Sequence, residues 1–193
     1  MAVCSGGVNN FVNKPCGKDT KMSKKILVAF GSHAGSTAEA ADVIAGALAD
    51  KGAAVEVKPV EKVKDIKGYD AVVIGTNIRA GNIKGPVKSF ASRFAAKLAD
   101  VPVALFVVCL TMKDDTPENR KTVSAWLEQI QLKNKPVDAG LFAGKVEFAK
   151  LGFFARYIME KMAKAAEQDF MDRDKIKSWA NALYPKLFQK DKV

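Results

Sequence analysis

A loop rich in glycine and hydroxyl side chains follows the first apolar run of the chain. Residues 31–37 read GSHAGST, directly after KILVAF at 25–30. Between a buried strand and a helix, such a loop points several backbone N–H groups at one spot, beside the positive end of the helix dipole. Ser32, Ser36 and Thr37 add hydroxyl donors, so the loop can bind a phosphate without a lysine or arginine. A plain turn in which Ser36 or Thr37 only caps the helix explains the same residues, and both interpretations stay open at this point.

The chain offers little material for metal or nucleophile chemistry. It has one histidine, His33, and three cysteines, Cys4, Cys16 and Cys109. A closed zinc site needs a full cluster of Cys and His ligands, and a Ser-His-Asp triad would have to use His33 without a G-x-S-x-G elbow. The loop at 31–37 also lacks the Gly-Lys-Ser/Thr of a P-loop and the glycine spacing of a dinucleotide fingerprint. We therefore expect no metal site, a hydrogen-bonding or exposed role for His33, and a buried, unreactive thiol at Cys109.

The composition is that of an ordinary globular protein with an excess of positive charge. The 193 residues are 48% hydrophobic and 27% charged, which suits one domain with room for an appendage. The 31 Lys and Arg against 21 Asp and Glu leave a net charge of +10. This excess points to an anionic membrane surface, an acidic protein or nucleic acid as a partner. We expect no nucleic acid, because the lysines are dispersed without a recognisable motif, and no membrane span, because no apolar run is long enough.

Short apolar runs alternate with helical stretches. Strands are predicted at 25–30, 53–58, 69–75, 101–110 and 137–143, and helices at 37–51, 86–98, 117–132, 151–166 and 174–188. This alternation predicts a parallel sheet covered by helices on both faces. Ligands of such sheets bind at the carboxyl ends of the strands, which would bring together the loops at 31–36, 76–85, 111–116 and 144–150.

Two of these loops resemble those of the flavodoxin family. Its phosphate loop follows a Thr/Ser-x-Thr-Gly-x-Thr pattern, which Ser32, Gly35 and Thr37 match, whereas Ala34 lacks the hydroxyl of the family. The segment TNIRAG at 76–81 is similar to the loop that wraps the isoalloxazine ring in flavodoxins. The likeness, over about residues 24–183, is closest to the branch that contains menaquinone-dependent protoporphyrinogen oxidase. That branch similarly carries an Ile-Arg-x-Gly loop, a basic loop after a Leu-rich fourth strand, and an aromatic-basic segment after strand five.

The resemblance implies a flavodoxin-like three-layer α/β sandwich with a five-stranded parallel sheet in the order 2-1-3-4-5. Residues 23–188 would form this domain, and residues 1–22 a disordered arm. It also implies bound FMN, with the phosphate on residues 32–37 and the ring between the loops after strands three and four. The implied cofactor-binding residues are Ser32, His33, Ala34, Gly35, Ser36, Thr37, Thr76, Asn77, Ile78, Arg79, Gly81, Leu110, Thr111, Met112 and Lys113.

These loops lack the Trp and Tyr that flavodoxins commonly stack on the flavin. They offer Ile78, Leu110 and Met112, together with two cations, Arg79 and Lys113. A cation close to the ring would stabilise the reduced, anionic flavin, so we hypothesise a higher reduction potential than in acidic flavodoxins. The alternative is that both side chains are solvated and screened by salt.

An FMN-dependent redox protein is the function that the resemblance implies. It would oxidise a protoporphyrinogen-like tetrapyrrole with a quinone acceptor, or carry electrons to a redox protein partner. A cofactor-free binding module of the same fold is the alternative from another class. A response-regulator receiver would need paired acidic residues after strand one and an Asp ending strand three, where this chain has Gly31-Ser32 and Gly75-Thr76.

Aromatic and basic side chains mix between residues 148 and 164. The segment FAKLGFFARYIMEKM at 148–162 could form a basic surface for anionic lipid, a tetrapyrrole or a quinone. It could instead be a core helix with Phe154, Ile158 and Met162 packed on the sheet, which is the more common role of a stripe at four-residue spacing. Because the N-terminus lacks a signal-peptide pattern, we expect a cytoplasmic protein, with peripheral association at the inner face of the membrane left open. The sequence does not indicate the oligomeric state.

Overall fold

The computed structural model describes residues 23–31, 35–145 and 169–188. Several predictions fall outside these ranges: the arm at 1–22, the loop residues Ser32, His33 and Ala34, and the aromatic-basic segment with its helix at 151–166. The strands are β1 (Lys25–Gly31), β2 (Ala54–Pro59), β3 (Ala71–Arg79), β4 (Asn82–Ile83), β5 (Val103–Cys109) and β6 (Asp138–Ala143). The helices are α1 (Ser36–Ala49), α2 (Gly85–Arg93), α3 (Ala95–Ala99), α4 (Pro117–Leu127) and α5 (Arg173–Phe188), with short 3₁₀ turns at Val60–Lys62 and Leu110–Lys113.

The sheet has the predicted architecture. Its order is β2-β1-β3-β5-β6, and all four pairings along it are parallel. The predicted five-stranded parallel sheet, in the order 2-1-3-4-5, is therefore confirmed, with β4 as an added strand beside β3. Every residue of β5 is buried, as expected for a central strand covered on both faces. Parallel pairing places the carboxyl ends of β1, β3, β5 and β6 at one edge of the sheet.

The prediction of a loop from residue 76 to residue 85 was wrong. Strand β3 continues to Arg79, and the chain turns back to pair antiparallel, with Ile78 opposite Ile83. The two turn residues, Ala80 and Gly81, have φ of 49° and 73°. A two-residue hairpin turn of this type needs positive φ at both positions, which Asn and Gly usually supply. Because Ala80 is not a turn residue by type, the sequence pattern did not reveal the hairpin.

Two predicted helices are shorter than their apolar spacing suggested. The helix expected at 86–98 is interrupted at Phe94, whose φ and ψ are −105° and 16°. Phe94 is buried and meets the Phe90 ring edge-on at 5.1 Å between centroids. The helix expected at 117–132 ends at Leu127, after which Gln129 N–H donates to the Trp126 carbonyl three residues back. Such tightened turns are common at helix ends.

Two apolar cores cover the two faces of the sheet. On one face α1 and α5 pack together, and the Phe106 ring lies directly over Gly75 of the neighbouring strand. An added Cβ at Gly75 would lie 2.1 Å from Phe106 Cζ, so only glycine fits there. This pair packs a ring of β5 closely against the backbone of β3.

Candidate functional site

A small cavity of about 110 Å³ lies at the carboxyl edge of the sheet. The first turn of α1, the ends of β3 and β5, and the chain after β6 form its walls. The lining residues are Ser36, Thr37, Asn77, Ile78, Val108, Cys109, Leu110, Gly144 and Lys145. This is the edge at which a doubly wound sheet binds its ligands.

Two oxygens of this cavity are buried without a hydrogen-bond partner among the described residues. They are Thr37 Oγ1 and Asn77 Oδ1. A buried polar atom left without a partner costs roughly 1–3 kcal/mol, so native structures rarely keep one without a reason. Thr37 lies at the start of α1 and Asn77 near the end of β3, and both line the same cavity. Because both atoms line one cavity, this cavity is the candidate site for a polar ligand among the described residues.

The first turn of α1 forms one wall of the cavity. Its N-cap residue is Gly35, with φ 82° and ψ −39°, a conformation suited to glycine, and no side chain among the described residues caps the helix. Ser36 and Thr37 are both buried. The capping interpretation of these two hydroxyls is therefore not what the structure shows. The uncapped N–H groups and the positive helix end suit an anion.

The β3–β4 hairpin, residues 76–83, forms another wall. Thr76 is fully buried and does not line the cavity, and its hydroxyl donates to the Asn77 carbonyl at 3.1 Å. Asn77 and Ile78 line the cavity, whereas Arg79 is exposed near the hairpin tip. Burial and the positive charge of Arg79 lower the pKa of Lys84 below its ordinary value. Arg79 and Lys84 therefore lie close enough to repel each other at the outer end of the hairpin.

The turn after β5 is divided between two cavities. Leu110 lines the first cavity with half of its surface exposed, which is unusual for a large apolar side chain. Met112 and Lys113 line a second cavity of about 210 Å³, where the Lys113 ammonium lies 4.6 Å from the centre of the Phe170 ring. Thr111 lies between Leu110 and Met112 in the chain, and its backbone and side chain both hydrogen-bond to the Cys109 sulfur. Burial raises the pKa of Cys109 above its usual value, which agrees with the unreactive thiol expected there.

Four lining residues were missed by the sequence reasoning: Val108, Cys109, Gly144 and Lys145. The sequence pattern predicts the loop from residue 144 at this edge but carries no motif that marks Gly144 or Lys145 as a binding residue. Lys145 Nζ donates to Glu39 Oε2 of α1 at 2.6 Å, and this bond is the main cause that lowers the pKa of Glu39. Glu39 also pairs with Arg173, which bonds Asp169 at 2.9 Å. This network joins α1, the end of β6 and the start of α5.

The structure thus brings five of the predicted residues around one cavity: Ser36, Thr37, Asn77, Ile78 and Leu110. Gly35 and Thr76 directly precede lining residues in the chain, Arg79 and Gly81 lie at the hairpin tip, and Met112 and Lys113 line the second cavity. A larger groove of about 620 Å³, lined in part by residues 98–103 and 132–137, lies at the amino-terminal ends of β5 and β6. No unpartnered buried side chain of the described residues lines that groove, so the smaller cavity is the better ligand site.

Comparisons with known proteins agree with the fold. Residues 27–173 match the family model of the flavodoxin domain. Proteins named protoporphyrinogen IX dehydrogenase [quinone] from three Escherichia coli strains are 26% identical over 145 residues, which is 72% of this chain and 79% of theirs. A flavodoxin from the domain Archaea superposes with a TM-score of 0.53 at 16% identity, covering 84% of this chain and 98% of its own. A mutant flavodoxin from Pseudomonas aeruginosa superposes with a TM-score of 0.51 at 13% identity, again covering 84% of this chain and 98% of its own.

Proposed function

This chain belongs to the flavodoxin family, whose cofactor is FMN, and from that premise we propose that the cavity lined by Thr37 and Asn77 is its FMN site. The observation that carries the proposal is the pair of buried oxygens, on two separate elements of that cavity, that have no partner among the described residues. Membership of the family makes the chain a flavoprotein with a redox function.

The phosphate end would be the first turn of α1. Ser36 and Thr37 would donate from their hydroxyls, and the uncapped N–H groups of the helix would add donors at its positive end. Ser32, His33 and Ala34 are proposed to complete this loop. Lys145 would bring a positive charge to the same cavity while its ammonium is held by Glu39.

The ring end would lie against the β3–β4 hairpin. Asn77 Oδ1 needs a donor, and an N–H of the flavin ring would supply one. Ile78 on one side and the exposed Leu110 on the other would cover the ring with apolar surface. Binding would then remove an exposed leucine from water, which is favourable. Thr111, Met112, Lys113 and Gly81 are proposed as neighbours of the ring rather than as part of the cavity wall.

FMN supplies the electron-transfer chemistry when bound, so no side chain has to act as a nucleophile. The chain's own residues would bind the cofactor, exclude water from one face of the flavin ring and set the electrostatic surroundings of the ring. Of the two cations predicted near the ring, Arg79 is on the hairpin that carries Asn77, whereas Lys113 is held over Phe170. We therefore assign the effect on the reduction potential to Arg79.

The Arg79→Gln variant tests this assignment. Losing a positive charge beside a cofactor that becomes negative on reduction should lower the reduction potential, and more so at low ionic strength. A potentiometric titration of the wild type and the variant in low and high salt measures the difference. Equal potentials at low salt would mean that the Arg79 guanidinium is solvated and does not act on the flavin.

For the substrate, we propose a protoporphyrinogen-like tetrapyrrole with a quinone as the electron acceptor. The support is the similarity to the Escherichia coli proteins, at 26% identity, whose name specifies that substrate and a quinone. Electron transfer to a redox protein partner is the second candidate, and the fold shared with the archaeal flavodoxin favours it. An acidic partner would complement the net charge of +10.

A membrane surface is a further proposed partner, because quinones reside in lipid and the chain is strongly basic. None of the helices within residues 23–31, 35–145 and 169–188 has both the length and the apolar character of a membrane span. The aromatic-basic segment at 148–164 lies outside those residues, so its contact with lipid stays a prediction.

The experiment begins with the visible absorption spectrum of the full chain purified without added cofactor. A yellow protein that releases FMN on heating, at close to one equivalent, would support the FMN site. Oxidation of protoporphyrinogen IX with a menaquinone analogue would then favour the oxidase, and electron exchange with a soluble acidic redox protein would favour the carrier. A colourless chain that also fails to bind added FMN would leave the cofactor-free binding module as the better description.

A further inference from the structure

The side chain of Gln129 connects three separate elements beside the proposed FMN site. Its Nε2 donates to the Gly81 carbonyl at the hairpin tip at 2.8 Å. Its Oε1 accepts from the Lys88 ammonium of α2 at 2.8 Å and from the Ile83 N–H of β4 at 3.4 Å. Gln129 itself follows the end of α4. One amide therefore fastens both the tip and the returning strand of the hairpin to the body of the protein.

The orientation of this amide is fixed by its partners. A lysine ammonium can only donate, and a backbone carbonyl can only accept. The amide oxygen must therefore face Lys88, and the amide nitrogen must face Gly81. A flipped amide would lose both of its shorter bonds, so the contact is specific to one arrangement.

The hairpin depends on such external contacts because its own pairing is short. Only two residue pairs, Ile78 with Ile83 and Arg79 with Asn82, hold β4 to β3. Ala80 is the one non-glycine residue with positive φ in the described part of the chain, and such a conformation persists only where the surroundings enforce it. Trp126 supplies a second support: an added Cβ at Gly81 would lie 3.4 Å from its indole nitrogen.

We propose that Gln129 is a positioning residue for the flavin ring. It holds the β3–β4 hairpin so that Asn77 and Ile78 stay in the wall of the cavity, and it acts through the hairpin without touching the cofactor. This inference rests on the proposed function, because it needs FMN to bind in that cavity. It predicts that loss of the Gly81 contact loosens the hairpin and weakens the hold on the ring, while the phosphate end is unaffected.

The Gln129→Glu variant separates the donor from the acceptor. A glutamate keeps oxygens for Lys88 and Ile83 but cannot donate to the Gly81 carbonyl. Gln131→Glu is the matched control, because Gln131 is exposed two residues further along and makes no hydrogen bond to the hairpin among the described residues. Both variants add the same charge to the same turn.

Three measurements on the full chain test the inference. In the cofactor-free Gln129→Glu protein, amide hydrogen exchange across residues 78–83 should be faster by about tenfold, as expected when one hydrogen bond of ordinary strength is lost. The Kd for FMN and the Kd for riboflavin, which lacks the phosphate, should rise together by a similar factor. The control variant should stay within about twofold of the wild type, since it loses no contact.

Other outcomes overturn the inference in distinguishable ways. An unchanged rate of hydrogen exchange at the hairpin amides would mean that Gln129 does not hold the hairpin in place. Faster exchange with an unchanged Kd would deny the positioning role, and an equal effect in Gln131→Glu would assign the change to charge alone. If the wild type binds neither FMN nor riboflavin, the proposed function itself falls and this inference falls with it. That result is obtained before any variant is made.

Discussion

Replacing Thr37 with valine should stabilise the cofactor-free protein and weaken its binding of FMN. Valine has nearly the shape of threonine, and both side chains are β-branched, so the helix start is little disturbed. The change removes a hydroxyl that is buried without a partner among the described residues. Because an unpartnered buried hydroxyl costs about 1–3 kcal/mol, we expect the free energy of unfolding of the cofactor-free chain to rise by about 1 kcal/mol or more.

The effect on FMN has the opposite sign. If Thr37 donates to the phosphate, the variant loses a hydrogen bond to a charged group, which contributes about 1.5–3 kcal/mol. The Kd for FMN should then rise by roughly 10- to 150-fold. Riboflavin lacks the phosphate, so its Kd should change little. Opposite changes in stability and affinity would separate a ligand-binding hydroxyl from a structural one.

The assay combines urea unfolding of the cofactor-free proteins with flavin titrations followed by fluorescence. Thr122→Val is the control, because the Thr122 hydroxyl is exposed on α4 and donates to the Glu118 carbonyl at 2.9 Å. This control should change neither flavin affinity. A less stable cofactor-free Thr37→Val protein would show that the hydroxyl has a partner. An unchanged FMN affinity would refute its place in the phosphate site.

Two further predictions concern stability. Gly75→Ala should lower the free energy of unfolding by about 1–3 kcal/mol, because the new methyl group meets the Phe106 ring. The loss should be smaller in a Phe106→Leu background, and strictly additive losses in urea unfolding would contradict the clash. Asp115 forms ion pairs with Arg120 and Lys175. The hydrogen bond from Arg120, followed in size by the one from Lys175, lowers the pKa of Asp115 from 3.8 to about 2. Its ionised form therefore stabilises the fold above about pH 4, and this contribution is lost as the pH falls towards 2. Asp115→Asn should be less stable than the wild type at pH 7, and the difference should shrink as the pH falls towards 2 and vanish below it. A pH-independent difference would argue against the ion pairs.

The sequence by itself determined the strand order of the sheet and the edge at which Thr37 and Asn77 meet. The alternation of apolar runs with helical stretches is a local pattern, and right-handed crossovers convert it into one strand order. Parallel strands then bring their carboxyl ends to one edge, so the positions of Thr37 and Asn77 at a shared cavity followed from chain order. The fully apolar run at 101–110 also predicted the central, doubly covered strand.

Only the tertiary structure decided the remaining walls of the cavity. Lys145 meets Glu39 across 106 positions of sequence, and Gln129 meets Gly81 across 48. Neither pair belongs to a local pattern, because such contacts depend on how far each helix runs and where each loop returns. The hairpin turn at Ala80 shows the same limit. Alanine does not favour the positive φ of this turn, and the turn conformation is held by Trp126 and Gln129, which come from another part of the fold.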